Sequence, residues 1–250
     1  MVTEGSFWDH LDELRRVFIR ILIVVSVVSV GAFALKDPLF AVVLAPSKSS
    51  FFVFEQLGVD PFSLHLMNTG LTEQFMIHLK TALYAGLLVA SPYVIYMLFS
   101  FVAPALYSNE RRNTIKIVSS AYVMFIIGTV VNYFLVFPLT VRFLGTYQVS
   151  SDVSNMLTLQ SYVDTLLTLS LLMGIVFELP VVCWLLSHIG LLNSCVMRQY
   201  RRHALIAILV VSAIITPTTD AFTFLVVALP IWALYEFSIL VVKLTQNKKK

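Results

Sequence analysis

Six long apolar segments, separated by short polar loops, dominate this sequence. They cover residues 17–35, 71–101, 115–141, 162–187, 204–215 and 222–242. A helix needs about 20 mostly apolar residues to cross the hydrocarbon core of a bilayer. Hydrophobic residues make up 58% of the chain and charged residues 12%, with a mean hydropathy of +0.87, which excludes an ordinary soluble domain. The sequence therefore predicts an all-α integral membrane protein that forms a single polytopic membrane domain over residues 1–250.

The basic residues collect in alternate loops between these segments. One set of loops and ends carries Arg15, Arg16, Arg20, Arg111, Arg112, Lys116, Arg198, Arg201, Arg202, Lys243 and the lysines at 248–250. The other three loops contain only Lys36, Lys48 and Arg142 as basic residues. Cytoplasmic loops are enriched in lysine and arginine. This charge bias predicts six transmembrane helices with both termini in the cytoplasm. The first helix is expected to be retained and not cleaved as a signal peptide, because its apolar run is longer than the usual signal-peptide core and acidic residues precede it.

Two segments depart from the simple spanning pattern. Residues 1–16 predict a separate amphipathic helix on the cytosolic surface, because apolar side chains recur there at helical spacing. The fifth segment, at about 12 residues, is about 18 Å long, against a hydrocarbon core of about 30 Å. Pro217 follows it and breaks the chain, so the fifth and sixth helices are predicted to be short. Alternatively, the fifth helix extends back through His203 and Arg202, whose charged ends reach toward water.

Glu178 is the unusual residue of the fourth segment. A charged carboxylate at that depth costs on the order of 3 kcal/mol, so it is expected to face protein or water, or to be protonated. Pro180 follows two residues later and can kink the helix. One interpretation is a protonated acid bonded to a neighbouring helix; the other is a polar contact for a partner helix or a wet cavity.

Two predicted cytosolic segments combine acids with arginines. Glu13 precedes Arg15 and Arg16, and Glu110 precedes Arg111 and Arg112. If the helices bring the two segments together, the glutamates form an anionic site within a basic rim. The alternative is that each glutamate only neutralises its neighbouring arginine, an exposed pairing worth about 0–1 kcal/mol.

No catalytic or metal-binding motif is present in the sequence. It lacks a phosphate-binding glycine loop, H-E-x-x-H and G-x-S-x-G. The histidines show no ligand spacing, and the basic residues at membrane ends have a topological explanation that does not require nucleic acid. We therefore expect no enzyme, no metal and no cofactor. A proton-coupled small-solute transporter using Glu178 is the main alternative function, although no internal repeat supports it.

Several motifs resemble those of the TatC family, the large subunit of the twin-arginine protein translocase. The segment Phe7-x-x-His10-Leu11-x-Glu13-Leu14-Arg15-Arg16 is similar to its N-terminal signature. The segment Phe101-x-x-Pro104-Ala105-Leu106-Tyr107-x-x-Glu110-Arg111-Arg112 is similar to its first cytosolic loop. Further matches, in the family's order, are Phe137-Pro138, Phe177-Glu178-Leu179-Pro180, Thr216-Pro217 with Asp220, and Leu229-Pro230 with Leu234-Tyr235-Glu236.

This resemblance implies a concave six-helix bundle in the bacterial inner membrane. It also implies a receptor that binds the Arg-Arg signal peptides of folded proteins. Such a receptor works with single-span partners of the TatA and TatB type, as a homo-oligomer within a lipid-embedded complex driven by the proton motive force.

The resemblance also assigns residues to three roles. Signal binding falls on Glu13 and Glu110, with His10, Arg15, Leu106, Tyr107, Arg111 and Arg112 around them. Intramembrane polar or partner contacts fall on Glu178, Thr216, Asp220 and Phe222. Structural roles fall on Pro104, Pro138, Pro180 and Pro217.

Overall fold

The computed structural model describes residues 7–56, 64–102, 114–148, 150, 155–216 and 220–247. These residues are mainly helical, as expected. In chain order the helices are α1 (Phe7–Ala34), α2 (Lys36–Val43), a 3₁₀ turn (Ala45–Ser47), α3 (Phe52–Gln56), α4 (Glu73–Val102), α5 (Thr114–Val131), a π-helical turn (Asn132–Val136), α6 (Phe137–Thr146), α7 (Leu159–Val176), α8 (Leu179–His188), α9 (Ser194–Gln199), α10 (Arg201–Ile215) and α11 (Ala221–Asn247). Two short strands, β1 (Leu66–Met67) and β2 (Leu157–Thr158), pair in parallel.

Five stretches of the described chain are long and apolar enough to cross a membrane. They are Leu11–Ala34, Glu73–Phe101, Ile117–Thr146, Leu159–His188 and Ala221–Gln246. The remaining predicted span corresponds to α10, which has only 15 residues. The count of six membrane crossings therefore stays a prediction.

Three helix ends differ from the sequence-based expectation. Helix α1 already begins at Phe7, so the segment expected to form a separate surface helix continues directly into the first span. Helix α10 begins at Arg201, as in the alternative that extends it through His203 and Arg202. The prediction of a short sixth helix is wrong, because α11 has 27 residues. Hydropathy marks only the apolar part of a helix, whereas its polar end turns continue the same backbone hydrogen-bonding pattern.

The chain divides into two compact units. The first comprises Met1–Leu39 and His78–Tyr122, and within it α1 packs closely on α4. A Cβ atom added at Gly86 would lie 2.8 Å from the Cα of Ser29, so only glycine permits this approach. The Ser29 hydroxyl donates a hydrogen bond to the carbonyl of Val25 (2.7 Å), which satisfies it within its own helix. Small residues at such a crossing let two membrane helices pack through their backbones.

The second unit comprises Phe40–Ile77 and Val123–Lys250 and contains the larger core. Its most deeply buried apolar side chains include Val136, Phe137, Val163, Leu169, Met173, Val227 and Ile231. Within this core the Asn132 amide nitrogen donates to the Ser170 hydroxyl (2.8 Å), joining the π-helical turn to α7. A polar pair of this kind satisfies groups that would otherwise be costly in an apolar setting.

Pro138 explains the π-helical turn in the third predicted span. Proline has no N–H to donate, and its ring clashes with the carbonyl four residues earlier in a regular helix. Here the turn widens, and the Phe137 N–H donates to the carbonyl of Asn132, five residues back. The span continues past the proline as α6.

Glu73, at the start of α4, forms hydrogen bonds that join α4 to the loop before it and to the first turn of α7. Its Oε2 atom accepts hydrogen bonds from the backbone N–H groups of Thr69 (2.9 Å) and Gly70 (2.7 Å). Its Oε1 atom accepts from the N–H of Gln160 (3.2 Å) in the first turn of α7. A negative charge is favoured at a helix N-terminus, where backbone donors lack partners. Glu73 therefore stabilises the loop before α4 and the start of α7 together.

We expect Gly128→Ala to lower the free energy of unfolding by about 1–3 kcal/mol, the usual cost of overpacking. A Cβ atom at Gly128 would lie 2.7 Å from the backbone carbonyl oxygen of Met173, which cannot move aside as a flexible side chain could. Thermal unfolding of the purified protein, followed by circular dichroism, measures the loss. The matched control is Gly31→Ala, whose Cβ would meet no atom within 4 Å. Equal behaviour of the two variants would contradict the packing argument.

We expect Glu73→Gln to accelerate hydrogen exchange at the amides of Thr69, Gly70 and Gln160 by about tenfold or more. The substitution replaces the charged carboxylate by a neutral amide, so hydrogen bonds worth about 1.5–3 kcal/mol are weakened. The amide NH₂ group also cannot accept a hydrogen bond from the backbone N–H groups that it faces. Hydrogen exchange read by mass spectrometry in lipid nanodiscs provides the measurement. Glu55→Gln alters an exposed glutamate and serves as the control. Unchanged exchange at all three amides in Glu73→Gln would refute the role of this carboxylate.

Candidate functional site

The predicted signal-binding residues of the N-terminal segment lie on the first turns of α1. Glu13, Arg15 and Arg16 are exposed. Glu13 makes no ion pair with any residue that the structure describes. His10 belongs to the same helix, and its side chain lies outside the described part.

The other half of the predicted signal site lies outside the described residues. Residues 103–113 are not described, and this stretch contains Pro104, Leu106, Tyr107, Glu110, Arg111 and Arg112. The proximity of Glu13 and Glu110 therefore stays a prediction.

Glu178 lies at a break between α7 and α8 in the fourth predicted span. The Glu178 N–H donates to the carbonyl of Ile175 (3.1 Å), three residues back, so the helix tightens there. Pro180 occupies the first turn of α8, which agrees with the kink expected from it. The side chain of Glu178 is half-buried, and its Oε1 atom is buried without a hydrogen-bond partner among the described residues. An unsatisfied buried acceptor costs free energy. A polar contact of this carboxyl with a partner helix or a wet cavity stays a prediction.

The remaining intramembrane candidates border the connection between α10 and α11. The Thr216 hydroxyl donates to the carbonyl of Ser212 (2.9 Å) at the end of α10. Asp220 caps α11, because its Oδ1 atom accepts from the N–H of Thr223 (2.7 Å). The ring of Phe222 stacks on Phe143, with centroids 4.2 Å apart. Pro217 lies outside the described residues. Thr216, Asp220 and Phe222 thus have structural contacts, and a role in partner binding stays a prediction for each.

The structure also contains contacts that the sequence pattern did not indicate. Arg201, in the first turn of α10, forms a 2.6 Å ion pair with Glu236 of α11. The Tyr235 hydroxyl donates to the carbonyl of Met197 (2.7 Å), which fixes α9 against α11. The Glu73 contacts belong to the same group. Of these contacts, only those of Glu73 had a local signal in the sequence, namely an acidic residue in the first turn of a helix.

An apolar groove of about 570 Å³ lies between the third predicted span and α11, and we call it the α6–α11 groove. Its walls come from α5, the π-helical turn, α6 and α11, and Phe177 adds to it from the break before α8. The lining side chains are Val131, Leu135, Leu139, Phe177, Val226, Leu229, Pro230, Ala233, Leu234 and Phe237. Within the described part of the chain, no three His, Cys, Asp or Glu side chains are grouped as a metal site requires.

Comparison with known proteins identifies the family. The profile of the Sec-independent protein translocase protein TatC matches residues 9–230. The TatC protein of Deinococcus radiodurans is 34% identical over 238 residues, covering 95% of this chain and 86% of that protein. The TatC protein of Koribacter versatilis is 34% identical over 245 residues, covering 98% of this chain and 88% of that protein.

A solved structure agrees with the sequence comparison. The crystal structure of a twin arginine translocase receptor TatC superposes with a TM-score of 0.77 and 30% sequence identity, covering 95% of this chain and 99% of that one. The apolar helices and these relatives make the chain a multi-pass membrane protein with a role in protein transport. The chain belongs to the TatC family of Sec-independent protein translocase proteins.

Proposed function

We propose that this chain is the receptor subunit of a twin-arginine translocase and binds Arg-Arg signal peptides of folded proteins. The observation that carries the proposal is the exposed carboxylate of Glu13 on α1, which has no ion-pair partner among the described residues. It lies within the region matched by the family profile, as does Glu110. The family relationship does not favour the alternative of a proton-coupled small-solute transporter.

The chemistry of the signal suits a pair of carboxylates. Each guanidinium presents a planar fork of N–H donors that fits a carboxylate with two parallel hydrogen bonds. A lysine ammonium is a point charge and cannot reproduce this geometry. Two glutamates, Glu13 and Glu110, would take one arginine each. Arg15, Arg111 and Arg112 would hold the acids in place and discourage unspecific cations, while His10, Leu106 and Tyr107 would complete the surface.

The orientation follows from the same residues. For the receptor to meet its substrates before export, α1 must begin in the cytoplasm. The excess of arginine and lysine in the loops beside Glu13 and Glu110 favours this placement. We therefore place both termini in the cytoplasm of a bacterium, with the protein in its inner membrane.

The partners of the receptor would be single-span proteins of the TatA and TatB type. Helix α10 has 15 residues, or about 22 Å, less than the hydrocarbon thickness of about 30 Å. Such a mismatch thins the bilayer or is relieved by association with another helix. The surface of α10 and α11 near Thr216, Asp220 and Phe222, together with the open acceptor of Glu178, is the proposed contact for partner helices. Transport across the complex would draw on the proton motive force.

Photo-crosslinking from positions 13 and 110 tests the site. We expect both positions to crosslink an Arg-Arg signal peptide in membranes and neither to crosslink its Lys-Lys counterpart, because the lysine pair lacks the bidentate geometry. Mass spectrometry of the adducts would locate the contact on the peptide. Equal crosslinking of both peptides would show association without recognition of the arginine pair, and absence of adducts at both positions would exclude the site.

We expect Glu13→Gln to weaken binding of the Arg-Arg peptide by about tenfold or more, since a hydrogen bond to a charged group is worth about 1.5–3 kcal/mol. Binding to the receptor in nanodiscs can be measured by fluorescence anisotropy of a labelled peptide. Asp12→Asn removes an equally exposed negative charge from the adjacent position of α1 and is the control. A similar loss in both variants would indicate general electrostatic attraction and not a specific contact with Glu13.

A further inference from the structure

The α6–α11 groove is lined entirely by apolar side chains, and several of them are also open to the surroundings. Leu229 is 67% exposed, Phe237 is 49% exposed and Leu135 is 46% exposed. In a membrane protein such a surface faces hydrocarbon and not water. The groove is therefore suited to an apolar occupant.

Arg142 lies on α6 just beyond this groove. It follows Leu139, a lining residue of the groove, by three residues within α6, so the two positions are neighbours on one face of the helix. It precedes the last residue of the span, Thr146, by four residues, or about 6 Å. A membrane crossing over this stretch would place Arg142 close to a membrane–water interface, at the level of lipid headgroups.

The guanidinium of Arg142 is not compensated within the described protein. The residue is half-buried, and its side chain makes no hydrogen bond or ion pair with the residues that the structure describes. Next to it, the stacked rings of Phe143 and Phe222 join α6 to α11. A partly buried arginine normally pairs with an anion, and phosphate accepts its two parallel N–H groups as well as a carboxylate does.

The length of the groove discriminates between two apolar occupants. On the side of the third span its lining runs from Val131 to Leu139, about 12 Å along the helix. A transmembrane helix of a partner protein must cross about 30 Å and would extend well beyond both ends. One leaflet of the hydrocarbon core is about 15 Å thick, close to the length of the groove. An acyl chain that follows the groove would therefore keep its phosphate near the interface expected at Arg142.

We propose that the α6–α11 groove and Arg142 form a phospholipid site, in which an acyl chain occupies the groove and the lipid phosphate pairs with the Arg142 guanidinium. The site needs no signal peptide and does not depend on the receptor role proposed above. Its ligand is a membrane phospholipid with an accessible, negatively charged phosphate.

A photoactivatable phosphatidylglycerol tests the site. The purified protein is placed in vesicles containing this lipid, which carries a diazirine within one acyl chain, and adducts are mapped by mass spectrometry. We expect adducts enriched on the groove residues Leu135, Leu229 and Ala233. In Arg142→Gln these adducts should fall about fivefold or more, as expected for loss of a charge-assisted contact. Lys48→Gln removes an exposed cation from another segment and should change nothing.

Two further variants test the headgroup contact and the groove independently, and a folding control applies to each variant. Arg142→Lys keeps the charge and should retain more labelling than Arg142→Gln, because the ammonium still attracts phosphate. Ala233→Trp fills the groove with an apolar side chain and should remove the groove adducts, whereas Val89→Trp, at an exposed position of α4, should not. Each variant must elute as the unmodified protein does in size-exclusion chromatography.

Three outcomes would overturn the proposal. Equal labelling of the unmodified protein and of Arg142→Gln would exclude the proposed contact between Arg142 and the phosphate. Adducts spread evenly over all lipid-exposed helices would exclude a specific lipid site in the groove. Loss of the groove adducts when a single-span partner protein is added, with no effect of Arg142→Gln, would assign the groove to a protein helix instead.

Discussion

Inside a bilayer every backbone donor and acceptor must find a partner within the protein, and this constraint governs the architecture. Helices meet it without help, but Pro138 and Pro180 each remove a donor inside a predicted span. The backbone adjusts by forming a π-helical turn at Asn132–Val136 and a tightened turn at Phe177 and Glu178. Irregular backbone is tolerated at membrane depth where protein covers it, and Phe137 and Phe177 at these breaks are both in the buried core of the second unit.

The same two breaks place polar side chains where an unbroken apolar helix would have none. Asn132 begins the π-helical turn and bonds Ser170 across to α7, so its polarity serves packing. Glu178 lies in the second break and keeps a buried acceptor without a described partner. A Cβ atom at Gly128 would lie 2.7 Å from the carbonyl oxygen of Met173 and 2.8 Å from Phe177, so α5 packs closely on the fourth span just before Glu178.

Hydropathy, charge bias and motifs were sufficient to predict the helical class, the main apolar segments and the family. They did not predict helix ends, because α1 and α11 extend through polar residues whose backbone bonds do not depend on lipid. They also missed the full role of Glu73, since its bond to Gln160 joins residues 87 positions apart. The motif at Glu13 was recognisable because it is continuous in sequence, whereas the π-helical turn depends on how Pro138 and Asn132 are accommodated in the fold.

Arg142 shows what charge counting alone leaves unexplained. By the positive-inside rule it is one of three basic residues on the less basic side, and counting gives no reason for a half-buried arginine there. Its position on α6, three residues after the groove residue Leu139, suits the proposed lipid, because a phospholipid joins an apolar chain to an anionic phosphate. Lipid bound there would cover Leu229 and Phe237, which no described part of the protein covers fully. The stability of the second unit would then depend on the lipid that surrounds it as well as on its own side chains.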